Sequence, residues 1–327
     1  MIAIKFYIMD ESLRGVVGIQ NMGNTCYCNS TIQILRACHE WNVFCITQDF
    51  SHLKDNNNKK ILLAYQDIIK SIWSASKPSY IRPTGFLSEI RKVVKGTVYE
   101  MFGQTIPNDS HEFLTYLLDN FHEALKEDTN DTKGNQMLGN SEVVRSFFGT
   151  IRNTIHCTNC KNNTYQSEIF NSLKIPCDGN TFKDWIQNEI KDSDIEGYQC
   201  DNCHTKSTAT IYSRIWKLPR NLFITMRRFN PNGTKNMTKC PYDGNNISFS
   251  EFFANESDDP SKNWVYELKG ISDHHGSHVG GHYNTQFKHP ISNEWWKIDD
   301  ETANKQLPAF SAANYIFLFV KNVPVIS

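Results

Sequence analysis

The chain has 327 residues, of which 39% are hydrophobic and 12% aromatic, and its formal charge at pH 7 is -1. These apolar residues suffice for the core of one large domain or two ordinary ones, which excludes global disorder. The balanced charge argues against a nucleic-acid partner, because nucleic-acid binders carry a basic excess. No apolar run approaches the roughly 18 residues of a membrane-spanning helix, so we expect no membrane partner either.

The start of the chain, residues 1–14, is predicted to be a short lead before the folded part. Met1 to Met9 is apolar but is interrupted by Lys5, and it has neither a basic start nor a small-residue cleavage site. A secretory signal is therefore not predicted, and we expect an intracellular protein, with cytoplasm and nucleus not distinguished. In a reducing compartment, clustered cysteines among the ten of this chain are more often metal ligands or nucleophiles than disulfides.

The first predicted helix lies between residues 25 and 39, where apolar residues repeat at steps of four and three. Cys26 lies where a polar, Gly-containing turn runs into this helix. A thiolate at a helix N-terminus is stabilised, so we expect a lowered pKa for Cys26 and N–H groups that can face an oxyanion. Asn21, five residues upstream, is a candidate second oxyanion donor. A buried structural cysteine remains an equal alternative on position alone.

A second helix is predicted after Asp109, which opens a D-x-x-E capping box with Glu112. Phe113, Leu117 and Phe121 follow at steps of four and form one apolar face. From these residues alone, this segment is an N-capped core helix.

Two C-x-x-C pairs, Cys157 with Cys160 and Cys200 with Cys203, are separated by thirty-nine residues. Four thiolates can close a tetrahedral structural zinc site. The alternative is two disulfides or a redox-active pair. Two C-x-x-C pairs, here called knuckles, favour the metal site over this alternative.

The second half of the chain contains short segments rich in aromatic and β-branched residues, which predict strands. They are Ile211 to Trp216, Leu222 to Arg227, Trp264 to Gly270, Tyr283 to Phe287, Trp295 to Ile298 and Tyr315 to Val320. Helices followed by strands indicate an α+β fold, with a site where the two parts meet.

A cysteine nucleophile needs a base, and His282 is the best-placed histidine because it joins a Gly-rich loop to a predicted strand. His274, His275 and His278 are predicted to be exposed on that loop, where a metal site is not favoured. The strand from Trp295 ends in Asp299 and Asp300. One of these carboxylates can orient the imidazole, or both merely begin a surface turn.

The segment from Gly18 to Leu35 resembles the nucleophile box of the ubiquitin-specific protease family, G-L-x-N-L-G-N-T-C-Y-x-N-S-x-L-Q-x-L, at eleven of eighteen positions. Gly281-His282-Tyr283 resembles the family's G-H-Y box, and Ile298-Asp299-Asp300 resembles the strand end that follows at a spacing of seventeen. Further similar segments are the Asn108–Asp119 helix, the Leu218–Phe229 strand, in which Arg228 and Phe229 are expected to be structural, and a strand with Phe147, Phe148 and Gly149 before the first knuckle.

The resemblance implies a papain-like cysteine protease core in a single catalytic domain over residues 15–322. Its expected parts are a thumb (about 15–140), zinc-ribbon-like fingers (about 141–215) and a palm (about 216–322). It also implies that Cys26 is the nucleophile, His282 the base, Asp299 the orienting acid with Asp300 in reserve, and Asn21 the oxyanion donor. Asp109 and Glu112 would hold the basic tail of ubiquitin, and the four knuckle cysteines a structural zinc ion that takes no part in the chemistry.

The implied reaction is hydrolysis of the isopeptide or peptide bond at the C-terminal glycine of ubiquitin, with ubiquitin and ubiquitinated proteins as partners. Two alternatives stay open: a protease for another ubiquitin-like modifier, and an inactive ubiquitin-binding module. Asn108 stands where the family usually has glutamine, which bears on tail recognition but not on the chemistry.

Overall fold

The computed structural model describes residues 14–74, 78–126, 139–254 and 264–322. The predicted lead falls outside this part except for Arg14. The chain divides into two compact units, one of residues 1–124 and 269–309 and one of residues 125–268 and 310–327. The division into thumb, fingers and palm stays a prediction.

The helices found in the described residues are α1 (Cys26–Arg36), α2 (His39–Thr47), α3 (Asn57–Ile72), α4 (Thr84–Val94), α5 (Ser110–Leu125), α6 (Glu142–Phe147) and α7 (Phe182–Glu189). The strands are β1 (Gly18–Ile19), β2 (Tyr80–Ile81), β3 (Gly149–Cys157), β4 (Asn163–Phe170), β5 (Ser172–Pro176), β6 (Ser193–Gln199), β7 (Lys206–Lys217), β8 (Asn221–Arg227), β9 (Ile247–Ser248), β10 (Val265–Ser277), β11 (Gly280–Lys288), β12 (Trp295–Asp299), β13 (Thr302–Lys305) and β14 (Asn314–Lys321). Across the described ranges, no helix is long and apolar enough to cross a membrane.

The first unit combines helices α1 to α5 with the antiparallel strands β10 to β13 and the parallel pair of β1 and β2. Rings on three of its helices meet in the core, where Tyr65 and Phe121 have centroids 4.8 Å apart and Trp41 lies 5.7 Å from Phe121. Asp109 caps α5 as predicted, because its Oδ1 accepts from the backbone N–H groups of His111 and Glu112. Both predicted helices are therefore present.

Strands β10 and β11 form an antiparallel hairpin in which His274 faces Tyr283 and His275 faces His282. The predicted Gly-rich loop is therefore wrong: the glycines belong to the hairpin. A Cβ on Gly276, whose φ is +127°, would lie 2.5 Å from Gly281 Cα, so this close approach requires glycine. Pairing also buries His274, which the sequence predicted to be exposed. Strands β12 and β13 continue the sheet beyond β11.

The second unit contains a four-stranded sheet in the order β4-β3-β7-β6. In the same unit β8 pairs with β14 antiparallel and with β5 parallel. Phe147 ends α6, so the strand before the first knuckle begins only at Gly149. Arg228 has the structural role predicted for it, since it is buried and its Nε donates to the Asn314 carbonyl at 3.0 Å.

Candidate functional site

The turn before Cys26 is held by the side chain of Asn21. Its Oδ1 accepts from the backbone N–H groups of Gly23 at 3.0 Å and Thr25 at 3.2 Å. Gly23 and Asn24 both have positive φ, which produces the reversal just before α1. Because Oδ1 is occupied by these donors, the amide Nδ2 of Asn21 points away from the turn.

Cys26 is the first residue of α1 and is only 7% exposed. Burial raises the pKa of its thiol above the ordinary value of 9.0, and the charge of Asp300 raises it further. Backbone N–H groups of Tyr283, Tyr27 and Cys26 itself favour the thiolate, but their effect on the pKa is smaller. The predicted lowering of this pKa is therefore wrong. The thiol needs a base to lose its proton at neutral pH.

Ser30, one turn further along α1, ties the helix to the hairpin. Its hydroxyl lies 2.6 Å from the Ser272 hydroxyl on β10 and 2.8 Å from the Thr285 hydroxyl on β11. All three side chains are buried. These bonds fix the position of Cys26 relative to the strand that carries His282. The sequence analysis did not identify them.

His282 and Asp299 form the direct imidazole–carboxylate pair of the site. His282 Nε2 lies 2.6 Å from Asp299 Oδ1, and the two side chains are 42% and 40% exposed. Asp300 Oδ2 is 4.0 Å from the same nitrogen. Of the two neighbouring acids, the structure thus brings Asp299 to the histidine. The backbone N–H of Tyr283, the residue after His282, favours the thiolate form of Cys26.

Asp300 contacts two asparagines of the nucleophile segment. Its Oδ2 accepts from Asn21 Nδ2 and its Oδ1 from Asn29 Nδ2, each at 2.8 Å. Its φ of +45° places it in the left-handed region, so its side chain leaves the strand in a direction that simple alternation does not predict. The carbonyl of Asp300 also accepts from Ile19 N–H at 2.8 Å. Asp300 therefore anchors Asn21. The only signal for this contact in the sequence is the pair of neighbouring acids, Asp299 and Asp300.

Gly281 lies where no side chain fits. A Cβ there would be 2.3 Å from the His275 carbonyl oxygen and 2.5 Å from His274 Nε2. We expect Gly281→Ala to lower the free energy of unfolding by about 1–3 kcal/mol, because the hairpin must shift to relieve the clash. Urea unfolding followed by circular dichroism measures this loss.

Gly280→Ala is the matched control, since no atom lies within 4 Å of the added Cβ. Equal free energies of unfolding for the two variants would contradict the prediction, because the hairpin would then accommodate a side chain at Gly281 without cost.

The two predicted tail-binding acids lie on the same unit as Cys26. Asp109 caps α5. Burial raises the pKa of the Tyr283 phenol, and the charge of Asp109 raises it further. Glu112 is exposed in the first turn of the helix. Their role toward a bound tail stays a prediction.

The four knuckle cysteines come together in the second unit, with all sulfur atoms within 4.8 Å of one another. The Sγ–Sγ distances are 4.0 Å from Cys157 to Cys203 and 3.7 Å from Cys160 to Cys200. A disulfide requires about 2.05 Å. Four sulfurs at about 2.3 Å from a tetrahedral zinc ion are roughly 3.8 Å apart, which these distances match.

Both knuckles have the same local construction. Lys161 N–H donates to the Cys157 carbonyl at 2.9 Å, and His204 N–H donates to the Cys200 carbonyl at 2.8 Å, each with a positive φ. Hydrogen bonds from the Cys160 backbone N–H and the Ser207 hydroxyl lower the pKa of Cys157 to about 6. Thiolates with such donors can serve as metal ligands. Neither His156 nor His204, which flank the two pairs, belongs to this group of metal-ligating side chains in the described part of the chain.

Comparison with known proteins gives a family match over most of the chain. The family model described as "Ubiquitin carboxyl-terminal hydrolase" matches residues 17–319. Similar curated proteins include Usp2 of Drosophila melanogaster, 27% identical over 95% of this chain and 35% of its own length. Ubiquitin carboxyl-terminal hydrolase 2 of Homo sapiens is 25% identical over 89% of this chain and 52% of its own. The chain thus spans between a third and about half of these relatives.

Solved structures share the fold. The SAGA DUB module of Ubp8, Sgf11, Sus1 and Sgf73 bound to monoubiquitin matches with a TM-score of 0.80 and 20% identity, covering 98% of this chain and 73% of that one. The same module bound to ubiquitin aldehyde matches with a TM-score of 0.77 and 21% identity over the same shares. The predicted mixed helix-and-sheet fold is confirmed. With the family model spanning residues 17–319, the chain belongs to the ubiquitin carboxyl-terminal hydrolase family.

Proposed function

We propose that this chain is a deubiquitinating cysteine protease that uses Cys26, His282 and Asp299. The observation that carries the proposal is the His282–Asp299 bond of 2.6 Å on β11 and β12. Ser30 on α1 lies 2.8 Å from Thr285 on β11, so the helix that begins at Cys26 contacts the strand that carries His282. An inactive ubiquitin-binding module would not need Cys26, His282 and Asp299 together.

The hydrogen bond to Asp299 assigns the two imidazole nitrogens. Because Nε2 of His282 is bonded to the carboxylate, Nδ1 is the nitrogen left to take the Cys26 proton. Proton transfer is needed because burial disfavours the free thiolate. Asp299 then stabilises the imidazolium that forms.

The sulfur attacks the carbonyl carbon of the C-terminal glycine of ubiquitin, and the carbonyl oxygen becomes an oxyanion. Asn21 Nδ2 keeps one N–H for this oxygen, since its other N–H is donated to Asp300. Collapse of the intermediate breaks the C–N bond, and His282 returns the proton to the leaving amine. Water, deprotonated by the same histidine, hydrolyses the thioester and regenerates the thiol.

Ubiquitin is the proposed partner because the solved structures of similar fold hold monoubiquitin or ubiquitin aldehyde. Asp109 and Glu112 are the proposed contacts for the basic residues of its tail. An intracellular location stays part of the proposal.

The test is hydrolysis of fluorogenic C-terminal conjugates of ubiquitin, compared with matched conjugates of related modifiers. We expect kcat/KM to be at least tenfold higher for ubiquitin than for any other modifier. Preference for another modifier would assign the same chemistry to that substrate. Absence of turnover with every conjugate would contradict the proposed activity.

We also propose that Cys157, Cys160, Cys200 and Cys203 hold one structural zinc ion, since their sulfurs are spaced for tetrahedral coordination. Zinc would stabilise the end of the sheet formed by β3 and β7 and would take no part in the chemistry. We expect elemental analysis to find one zinc ion per chain, and Cys160→Ser to lose it and to unfold at a lower temperature.

Cys177→Ala is the control, because this buried cysteine lies outside the cluster. Protein that has reduced thiols but binds no zinc from solution would rule the site out.

A further inference from the structure

The turn between β12 and β13 carries a second carboxylate that contacts Asn21. The two strands pair antiparallel up to Asp299 and Thr302, so Asp300 and Glu301 form the two-residue turn between them. Asp300 belongs to the site already, through its bond to the side chain of Asn21. Glu301 follows it in the turn and is half-buried. All of these residues lie in the first unit.

Glu301 binds the backbone of the residue whose side chain is the proposed oxyanion donor. Its Oε1 accepts the N–H of Asn21 at 3.0 Å. Asp300 Oδ2 accepts from the side-chain amide of the same residue at 2.8 Å. Hydrogen bonds to a carboxylate are charge-assisted and therefore strong. One turn thus restrains Asn21 at two atoms, the main chain through Glu301 and the side chain through Asp300.

The chain before Asn21 is held without the Glu301 side chain. The N–H of Ile19 donates to the Asp300 carbonyl at 2.8 Å, and the N–H of Gln20 donates to a carbonyl of β2 at the same distance. Backbone bonds therefore fix the segment up to residue 20, whereas the N–H of residue 21 is bonded to the Glu301 carboxylate. Loss of that carboxylate should release Asn21 and leave the preceding residues in place.

We propose that Glu301 is a positioning residue for the oxyanion step and acts through the backbone of Asn21. The proposal rests on the proposed hydrolase function, since it concerns the oxyanion donor of that reaction. Asn21 receives from Glu301 an acceptor oxygen in a fixed place, and a neutral amide oxygen in that place serves equally. A displaced oxyanion donor is costly, because a shift of about 1 Å can lower a rate by about a hundredfold.

Steady-state hydrolysis of a fluorogenic ubiquitin conjugate by Glu301→Ala and Glu301→Gln tests this role. We expect kcat of Glu301→Ala to fall about tenfold, with KM within about twofold, because Asn21 acts on the transition state and not on bound ubiquitin. Glu301→Gln keeps an acceptor oxygen, so its kcat should stay within about twofold of the unmodified chain. In an Asn21→Ala background, Glu301→Ala should cost less than about a further twofold.

Alkylation of Cys26 by iodoacetamide separates positioning of Asn21 from general damage to the site. The sulfur displaces iodide and no oxyanion forms, so this reaction needs the thiol and His282 but not the oxyanion donor. Peptide mass spectrometry measures the rate at Cys26 itself. We expect Glu301→Ala to be alkylated at a rate within about twofold of the unmodified chain.

Glu294→Ala is the matched control, because this acid lies at the other end of β12 and pairs with Lys305. It should change neither kcat nor the alkylation rate. The proposal is overturned if Glu301→Ala leaves kcat unchanged, if Glu301→Gln loses as much activity as Glu301→Ala, or if alkylation slows in parallel with hydrolysis.

Failure of the proposed hydrolase function is recognised separately. If the unmodified chain hydrolyses no conjugate, that function fails, and the positioning of Asn21 is judged from the exchange of its backbone N–H with deuterium, followed by NMR. We expect this exchange to be at least about fivefold faster in Glu301→Ala than in Glu301→Gln, because only glutamine keeps the acceptor. Equal exchange in the two variants overturns the proposal whether or not the chain is active.

Discussion

Replacing Cys26 with alanine should lower kcat for hydrolysis of a ubiquitin conjugate by about 10⁴-fold or more. The thioester cannot form without the sulfur, and removal of a nucleophile from an acyl-transfer triad typically costs rates of this order. Binding of ubiquitin should persist, because Cys26 is buried and contributes little surface. Steady-state hydrolysis of a fluorogenic ubiquitin conjugate, with ubiquitin binding measured in parallel by calorimetry, gives both quantities.

Cys28→Ala is the matched control, since Cys28 lies two residues further along α1 and is fully buried. Burial raises the pKa of its thiol far above the ordinary range, so it cannot substitute as a nucleophile. We expect its kcat to stay within about threefold of the unmodified chain. Retention of activity in Cys26→Ala, or its loss only in Cys28→Ala, would assign the nucleophile elsewhere.

Asp299→Ala should lower kcat by roughly 10² to 10⁴, because His282 loses the carboxylate that selects its tautomer and stabilises its cation. Hydrolysis rates measured from pH 5 to pH 9 should show the loss across the whole range. His282→Ala should be at least as damaging, and adding Asp299→Ala to it should cost little more, because the acid acts through the histidine. If the loss in kcat of the double variant equals the combined losses of the two single variants, Asp299 acts independently of His282.

Asp300→Ala should act through Asn21 instead. The structure gives Asp300 a 2.8 Å bond to the amide that is proposed to bind the oxyanion, so we expect a loss of roughly 10² in kcat, similar to removal of one oxyanion donor. In the double-mutant cycle, Asn21→Ala should add little to Asp300→Ala but should add fully to Asp299→Ala. The reverse pattern would exchange the roles of the two acids.

Much of this site follows from residue order. A glycine-containing turn that runs into an amphipathic segment placed Cys26 at a helix N-terminus, and α1 begins at that residue. Aromatic and β-branched runs located β8, β11, β12 and β14 within a few residues. Resemblance to family motifs singled out His282 and Asp299, which the structure brings together at 2.6 Å.

What the sequence did not predict depends on tertiary contacts. The pKa of Cys26 follows from how deeply the hairpin buries the sulfur, which outweighs the local helix N-terminus. The glycines near His282 suggested a loop, but they belong to the paired strands β10 and β11, where Gly276 and Gly281 allow a close backbone approach. The contact of Asp300 with Asn21 joins residues 279 positions apart and needs a left-handed backbone at Asp300, which no local pattern reveals.

The most direct test of the account is the reaction of the protein with ubiquitin whose C-terminal glycine carries an electrophilic propargylamide. We predict a single covalent adduct, with peptide mass spectrometry placing the linkage on Cys26, and no adduct with Cys26→Ala. The unmodified chain should react at least tenfold faster with this probe than with matched probes built from related modifiers. An adduct on any other cysteine, or unreactivity of the folded protein toward the ubiquitin probe, would contradict the central claim.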